Sequence, residues 1–139
     1  MTATTTLALI KPGAVTDGHT GDILSQILNA GFTIHALKKT VLTLEKAQQF
    51  YIVHKDRSFY DSLTGYMSYG PIIAMILGKE NAVEDFRNLI GATDPAEAEA
   101  GTIRAQYAKS IEANAVHGSD SPENADREGS FFFSNLELV

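Results

Sequence analysis

Residues 5–10 read Thr-Thr-Leu-Ala-Leu-Ile and are followed at once by Lys11-Pro12-Gly13. A short apolar run that ends at a Pro-Gly pair predicts a central β-strand buried on both faces. The run Ile72–Leu77, which follows Gly70-Pro71, has the same character and must lie beside it. Lys11 therefore stands at the carboxyl end of a buried strand, where a sheet often opens into a crevice. It either meets a ligand there or only solubilises the strand end.

Helical periodicity and turn residues separate the other predicted elements. In chain order they are a helix capped at Thr20 and stopped by Gly31, a strand over Phe32–Leu42 near a sheet edge, a helical hairpin that begins at the cap Thr43, a helix from Asn81 to Gly91, and a last strand over Asn114–His117. The order is β-α-β-β-α-β in outline. It predicts an α+β fold, a ferredoxin-like sandwich whose four-stranded antiparallel sheet carries helices on one face.

The composition restricts the class of protein. The 139 residues fit one domain, residues 1–139, with enough hydrophobic residues (44%) for a single core. The net charge of −6 argues against a general nucleic-acid binder, because phosphate-backbone binding needs a basic surface. There is no cysteine for a thiolate metal site, and no two of the four histidines are spaced to share a metal. With no signal-peptide pattern and no apolar run of membrane-spanning length, we expect a cytoplasmic protein.

Apolar periodicity lapses between Gly91 and Ala113, although one helical turn is expected near Ala105–Lys109. A loop of this length inside a compact domain is usually functional. It carries Thr93 and Arg104, and Arg104 follows a turn at Gly101-Thr102 whose backbone N–H groups can face an anion. The sequence therefore predicts a long ligand-binding loop before the last strand.

A single imidazole stands where the last strand meets a turn. His117 is followed by Gly118–Pro122, which reads as a tight turn into a helix capped by Ser121. The helix Glu123–Glu128 brings a carboxylate back, so that Glu128 can bond one ring nitrogen and leave the other free. This arrangement predicts an oriented nucleophile. The alternative is a structural histidine bonded to the backbone of its own turn.

Two further side chains have an ambiguous pattern. Phe59 follows the charged break Lys55-Asp-Arg-Ser58 in the helical hairpin, and is either a core residue or a ring offered to a planar ligand. Arg87 lies one residue off the inward stripe of its helix. The pattern alone leaves both interpretations of Phe59 open and assigns no role to Arg87.

Taken together, these residues resemble nucleoside diphosphate kinases along almost the whole chain. Asn114-Ala-Val-His-Gly-Ser-Asp-Ser121 matches the signature Asn-x-x-His-Gly-Ser-Asp-Ser of that family, while Gly91-Ala-Thr-Asp-Pro95 and Gly101-Thr-Ile-Arg104 match the flanks of its nucleotide-binding loop. The resemblance implies an enzyme that transfers the γ-phosphate of a nucleoside triphosphate, typically ATP, to a nucleoside diphosphate. It also implies a ping-pong reaction through a phosphohistidine on His117, with little base specificity.

The resemblance further implies a role for each matching residue. His117 matches the phosphate acceptor, and Glu128 matches the carboxylate that orients it. The other matches are Lys11 at ribose and phosphate, Tyr51 beside the catalytic centre, Ser119 next to it, Phe59 stacked on the base, Arg87, Thr93 and Arg104 at the terminal phosphates, and Asn114 at the ribose. No protein ligands for a metal are implied, because Mg²⁺ is expected on the nucleotide phosphates.

The family likeness implies a homo-oligomer, a tetramer or hexamer built from dimers, with no membrane partner and no specific nucleic acid. The chain departs from the family's usual residues at Gly13, Tyr69, Glu99-Ala100 and Glu112-Ala113. Two other functions are open. A catalytically silent binding module is disfavoured because the nucleophile and three cations occur together, and a structural or nucleic-acid-interacting protein is disfavoured by the acidic balance.

Overall fold

The computed structural model describes residues 4–139, which are built around a four-stranded antiparallel sheet. The inner strands are β1 (Thr5–Ile10) and β3 (Pro71–Gly78), which pair with each other along all of β1. Outside them lie β2 (Thr33–Val41) against β3 and β4 (Val116–Gly118) against β1, so that the strand order is β2-β3-β1-β4. The predicted adjacency of the two apolar runs and the edge position of the second strand are confirmed.

Within residues 4–139, seven α-helices connect and cover the strands. They are α1 (Pro12–Thr16), α2 (Thr20–Asn29), α3 (Leu44–Phe50), α4 (Tyr60–Met67), α5 (Ala82–Ile90), α6 (Ile103–Tyr107) and α7 (Pro122–Phe132), with 3₁₀ turns at Ile52–His54, Pro95–Glu97 and Asn135–Glu137. The strand order and the β-α-β-β-α-β outline make the predicted ferredoxin-like α+β sandwich.

Helices cover both faces of the sheet, and the prediction of helices on one face is wrong. Alternate residues of β1 serve opposite faces: Ala8 and Ile10 pack with α2 and α5, whereas Leu7 and Leu9 pack with α3, α4 and α7. All four side chains are buried. The hairpin helices and the C-terminal helix therefore build a second core on the face that was expected to be bare.

The edge strand β2 changes face partway along. A bulge between Ile34 and Ala36 adds His35 to the strand, so that Ile34 packs with the first core and Ala36 with the second. Simple alternation along a strand would place Ile34 and Ala36 on the same side, and the bulge prevents this. Leu37 and Val41 of this edge strand remain exposed.

Side-chain caps set the start of two helices as predicted. The hydroxyls of Thr43 and Ser121 accept backbone N–H groups at the beginning of α3 and α7. Thr20, in contrast, is inside α2 rather than its cap, and Asn81 precedes α5 with a φ of 58° and no capping bond. The C-terminal helix also continues beyond Glu128. Local patterns therefore located the elements better than their ends.

The segment before β4 contains more structure than its composition indicated. A 3₁₀ turn follows Asp94, and α6 begins behind the cap Thr102, earlier than the helical turn predicted near Ala105–Lys109. None of the helices within residues 4–139 is long and apolar enough to cross a membrane. The expectation of no leader sequence falls partly on residues 1–3, outside the described part of the chain.

Candidate active site

A cleft of about 520 Å³ opens where β1 and β4 end beside the α3–α4 hairpin and the segment after α5. Nine of the ten site residues predicted from the sequence line this cleft, and the tenth, Ser119, is fully buried behind its wall. The nine are Lys11, Tyr51, Phe59, Arg87, Thr93, Arg104, Asn114, His117 and Glu128. Residues far apart in the chain thus share one concave surface of the size that small-molecule sites have.

His117 is held by a carboxylate and not by the backbone of its turn. It lies on β4 opposite Leu9 of β1, and its Nε2 is 2.8 Å from Oε1 of Glu128. The same oxygen accepts the hydroxyl of Ser119 at 2.7 Å. Because an ionised carboxylate only accepts hydrogen bonds, Nε2 carries the ring proton and donates it. Nδ1 is then the ring nitrogen with a free lone pair.

Glu128 keeps its charge although its side chain is only 8% exposed. Burial raises the pKa of this carboxyl, but the hydrogen bonds from His117 and Ser119 and the charges of His117 and Arg127 lower it more, and the net pKa is below its usual value. At neutral pH the carboxylate can therefore orient the imidazole. Ser119 acts on the site through Glu128.

Lys11 lies on the cleft wall and is buried, so it does not serve to solubilise the strand end. Its Nζ donates to the backbone oxygen of Glu112 at 3.2 Å. Burial, followed by the nearby charge of Arg104, lowers the pKa of Lys11 to about 7. An anion that enters the cleft would therefore stabilise the charged form of this buried ammonium group.

Two arginines add positive charge to the same wall. Arg104 is buried, and its terminal nitrogens donate to the backbone oxygens of Gly91 and Val116 at 3.0 and 2.9 Å. Burial and the charge of Arg87 lower the pKa of Arg104 to about 10. Arg87 is exposed on α5. These two arginines therefore give the wall one fixed guanidinium and one on the solvent side.

Buried polar atoms without a hydrogen-bond partner gather at this cleft. Among residues 4–139 there are five such side-chain atoms, and four belong to cleft residues: the hydroxyl of Tyr51, Nε of Arg104, Oδ1 of Asn114 and Nε of Arg127. The amide nitrogen of Asn114 is fixed by the backbone oxygen of Thr93 at 3.1 Å. Each buried polar atom left unpaired costs about 1–3 kcal/mol. Their clustering is typical of a site that pairs them with a bound ligand.

Tyr51 follows α3 and stands next to the imidazole. Its ring lies edge-on to His117 at 6.0 Å between ring centroids. Burial and the charge of Glu128 raise the pKa of its hydroxyl above the usual value. The phenol therefore stays protonated beside His117 and can donate a hydrogen bond to an incoming anion.

Apolar side chains form the outer lip of the cleft, which consists of Val53, Phe59 and Ile111. Their exposed fractions are 60%, 41% and 59%. The ring of Phe59 is thus not a core residue, and the guanidinium carbon of Arg57 lies 5.5 Å from its centroid. A planar ligand can be covered here without displacing any part of either core.

Three of the cleft residues that were not predicted from the sequence are His54, Ile111 and Arg127. His54 lies in the 3₁₀ turn after α3, and its ring is 5.5 Å from that of Phe59 at the cleft. Ile111 is an isolated apolar residue in a polar loop, which is a signal that could have been used. Arg127 precedes Glu128, and neighbouring positions on a helix do not normally share a face.

The cleft is suited to a polyanion more than to a bare metal ion. No group of three His, Cys, Asp or Glu side chains within residues 4–139 is placed to hold a metal. Its lining carboxylates are Glu112, Asp120 and Glu128, and Glu128 is already bonded to His117. The excess of cationic groups fits phosphate oxygens, together with a metal that those oxygens carry.

Comparison with known proteins identifies the relatives of this chain. The family described as nucleoside diphosphate kinase matches residues 4–138. A nucleoside diphosphate kinase of Flavobacterium psychrophilum is 56% identical over 99% of both chains, and one of Persephonella marina is 54% identical over 100% of this chain and 99% of its own. The fold is similar to that of the Aquifex aeolicus nucleoside diphosphate kinase (TM-score 0.96, 44% identity, 98% and 99% coverage). It is also similar to a Halobacterium salinarum nucleoside diphosphate kinase in complex with CDP (TM-score 0.93, 34% identity, 97% and 90% coverage).

Proposed function

The chain belongs to the nucleoside diphosphate kinase family, and from this premise we propose that His117 is the residue that carries the phosphoryl group. The protein is a phosphotransferase that moves phosphate between nucleotides. The observation that carries the proposal is the 2.8 Å bond from Nε2 of His117 to Glu128, because it leaves Nδ1 as the nucleophile inside a cationic cleft.

The reaction has two balanced half-steps. Nδ1 attacks the γ-phosphorus of a nucleoside triphosphate, the bond to the bridging oxygen breaks, and the diphosphate leaves with that electron pair. The ring keeps its Nε2 proton, and Glu128 offsets the positive charge that develops on it. A second nucleoside diphosphate then takes the phosphoryl group from Nδ1 by the reverse chemistry. One site thus serves donor and acceptor in turn, which is a ping-pong scheme.

Positive charge and positioning supply the catalysis of such a transfer, whose charge spreads over the equatorial oxygens of the phosphoryl group. Lys11 and Arg104 meet these oxygens from the buried wall, and Arg87 and Thr93 hold the terminal phosphates from the solvent side. Tyr51 donates its unpaired hydroxyl beside the imidazole. The remaining polar contact is that of Asn114, whose unpaired Oδ1 accepts a ribose hydroxyl.

The base of the nucleotide stacks on Phe59 at the outer lip. Support comes from the exposure of this ring and from the apolar character of Val53 and Ile111 next to it. Stacking on an aromatic face tolerates every base, so little base specificity is expected. The Halobacterium salinarum relative binds CDP, a pyrimidine nucleotide, which agrees with such tolerance.

Mg²⁺ enters this site on the phosphates of the nucleotide. The donor set of the cleft fits that arrangement, because its carboxylates do not form a three-ligand group within residues 4–139 and its cations face phosphate oxygens. Bound there, the ion would neutralise part of the charge of the phosphates. The residues of the chain hold the phosphates and fix their orientation relative to His117.

The protein is also expected to form a homo-oligomer, a tetramer or hexamer built from dimers. Helices cover both faces of the sheet, so no bare sheet face supports this proposal. The remaining support is the edge strand β2, where Leu37 and Val41 are 46% and 60% exposed. Light scattering at micromolar concentration tests this, and a mass near the 15.0 kDa of one chain would refute it.

A cytoplasmic location without membrane or specific nucleic-acid partners completes the proposal. The absence of cysteine suits a reducing compartment, and the net charge of −6 disfavours binding to phosphate backbones. Cell fractionation with an antibody against the chain would contradict the location if the protein appeared mainly outside the cytoplasm.

Labelling with [γ-³²P]ATP tests the function directly. The wild-type protein should acquire phosphate that is labile in acid and stable in base, and should pass it to any added nucleoside diphosphate. His117→Ala should remove both the label and the transfer. His19→Ala is the matched control, since His19 packs against Tyr107 away from the cleft and should leave the label in place. Transfer that persists in folded His117→Ala would refute the covalent route.

A further inference from the structure

The two oxygens of the Glu128 carboxylate have different partners. Oε1 accepts both Nε2 of His117 and the hydroxyl of Ser119. Oε2 lies 3.5 Å from a terminal nitrogen of Arg127, the next residue back along α7. The reaction proposed above uses only Oε1, so the role of Arg127 is not explained by it.

The guanidinium of Arg127 joins two elements of the site. Its other terminal nitrogen donates to the backbone oxygen of Phe50 at 3.4 Å, at the C-terminal end of α3. A cation is favoured at that position by the helix dipole. Tyr51 follows Phe50 directly, and Glu128 follows Arg127. One side chain thus connects the helix that carries the orienting carboxylate to the segment that carries the phenol.

We propose that Arg127 is a positioning residue for phosphoryl transfer, which holds Oε2 of Glu128 so that Oε1 stays aimed at Nε2 of His117. The proposal rests on the function inferred above. Since Arg127 acts through Glu128, its removal should slow the chemical step and leave nucleotide affinity unchanged. A carboxylate free to rotate would let the imidazole turn away from the position in which Nδ1 meets the γ-phosphorus.

The charge of Arg127 has a second effect, on protonation. The titratable groups that face Glu128 are His117 on β4, Tyr51 after α3 and Arg127 on α7, and the charge of Arg127 is one of the influences that lower the pKa of Glu128. Without it, that pKa rises and Glu128 takes up a proton at a higher pH. A protonated carboxyl no longer offsets the charge that develops on the ring. The acid limb of the rate profile should therefore move to higher pH.

Two other roles compete with this one. Arg127 lines the cleft and its Nε is buried without a partner, so it could contact the nucleotide itself. The bond to Phe50 could also be only a structural link between helices. These roles differ in what they change: direct contact changes the Michaelis constant, and a structural link changes the thermal midpoint alone.

The test uses Arg127→Met, which keeps the apolar stem, and Arg127→Lys, which keeps the charge. Single-turnover phosphorylation by ATP should slow about tenfold in Arg127→Met, by analogy with the loss when a partner that orients a metal ligand is removed. The Michaelis constants should stay within about twofold, the acid limb should move to higher pH, and Arg127→Lys should recover part of the rate. Lys79→Met is the matched control, because this substitution also removes an ion pair, the one between Lys79 and Asp85, but away from the cleft.

Each other outcome overturns the proposal. If Arg127→Met, measured below its unfolding temperature, is phosphorylated as fast as the wild type, Arg127 is only a structural link between helices. A raised Michaelis constant at an unchanged rate would make it a nucleotide contact. The function itself is judged separately, since Arg127→Met should still become labelled, only more slowly, whereas His117→Ala should not be labelled at all.

Discussion

The inner end of the cleft and its outer lip are built from opposite kinds of surface. At the inner end, Lys11, Arg104 and Glu128 are charged residues that are all buried. The lip consists of Val53, Phe59 and Ile111, apolar groups of which 41% or more is exposed. The folded chain thus keeps charges away from water at one end and keeps hydrophobic surface in water at the other.

The two ends differ in how much they destabilise the folded protein when no ligand is bound. Burial lowers the pKa of Lys11 to about 7 and that of Arg104 to about 10, which shows that the folded state disfavours their charged forms. Unpaired buried atoms at Tyr51 and Asn114 add to this cost. Groups held in such a preorganised state need no rearrangement when charge develops in the reaction. We therefore expect changes at the inner end to alter rate and stability, and changes at the lip to alter affinity alone.

The largest effect should come from Arg104→Ala. Its guanidinium is fixed by the carbonyl groups of Gly91 and Val116, so the positive charge is in place before the phosphates arrive. Loss of one preorganised donor should lower kcat by roughly 100- to 1,000-fold for ATP, GTP and CTP alike. Steady-state kinetics with the three donors measures this. Arg57→Ala, the same change beside the lip, should keep kcat, and a loss restricted to one nucleotide would contradict the assignment.

Phe59→Ala should have an intermediate effect, limited to binding. A lost base stack is worth about 1–3 kcal/mol, or roughly 5- to 150-fold in the Michaelis constant, and it should be similar for every base. The thermal midpoint should not move, because the ring is not part of either core. Kinetics with purine and pyrimidine nucleotides, together with thermal unfolding, provide the measurement. A loss confined to purines would place the base elsewhere.

The smallest effect is on stability and concerns Lys11→Met. The folded-state pKa of about 7 lies below the ordinary value of 10.5, so the unfolded chain binds more protons between those two pH values. Burial of Lys11 therefore destabilises the wild type fully below pH 7, and progressively less as pH rises toward 10.5. Lys11→Met should unfold several degrees higher at pH 7.

Thermal unfolding at pH 7 and at higher pH measures that difference. The advantage of the methionine variant should shrink as the pH increases, and it should be absent from Lys79→Met, which removes a half-exposed charge. An advantage that grew with pH would mean that Lys11 is stabilised by its surroundings, and the contrast between the two ends of the cleft would then be wrong.

Much of the fold could be predicted because its signals are local. A few neighbouring residues suffice to predict the strand Thr5–Ile10 and the helix caps Thr43 and Ser121. An apolar run and a capping bond each involve residues close together in the chain. Local patterns also led to the wrong prediction that helices cover only one face of the sheet. An apolar run indicates that a strand is buried on both faces, but not which elements cover each face. The bulge at His35 was likewise hidden, since it is defined by the partner strand and not by β2 itself.

The sequence by itself determined the order of the elements along the chain, the adjacency of its two apolar runs and the family likeness, and through that likeness it predicted the ten site residues. Only the tertiary structure decided which nitrogen of His117 is free, that Lys11 and Arg104 are desolvated, and that Phe59 faces the cleft. It also brought Arg127 to the second oxygen of Glu128. Apart from the contact between the neighbours Arg127 and Glu128, these are properties of distance and burial between residues far apart in the chain, and local sequence patterns do not predict them.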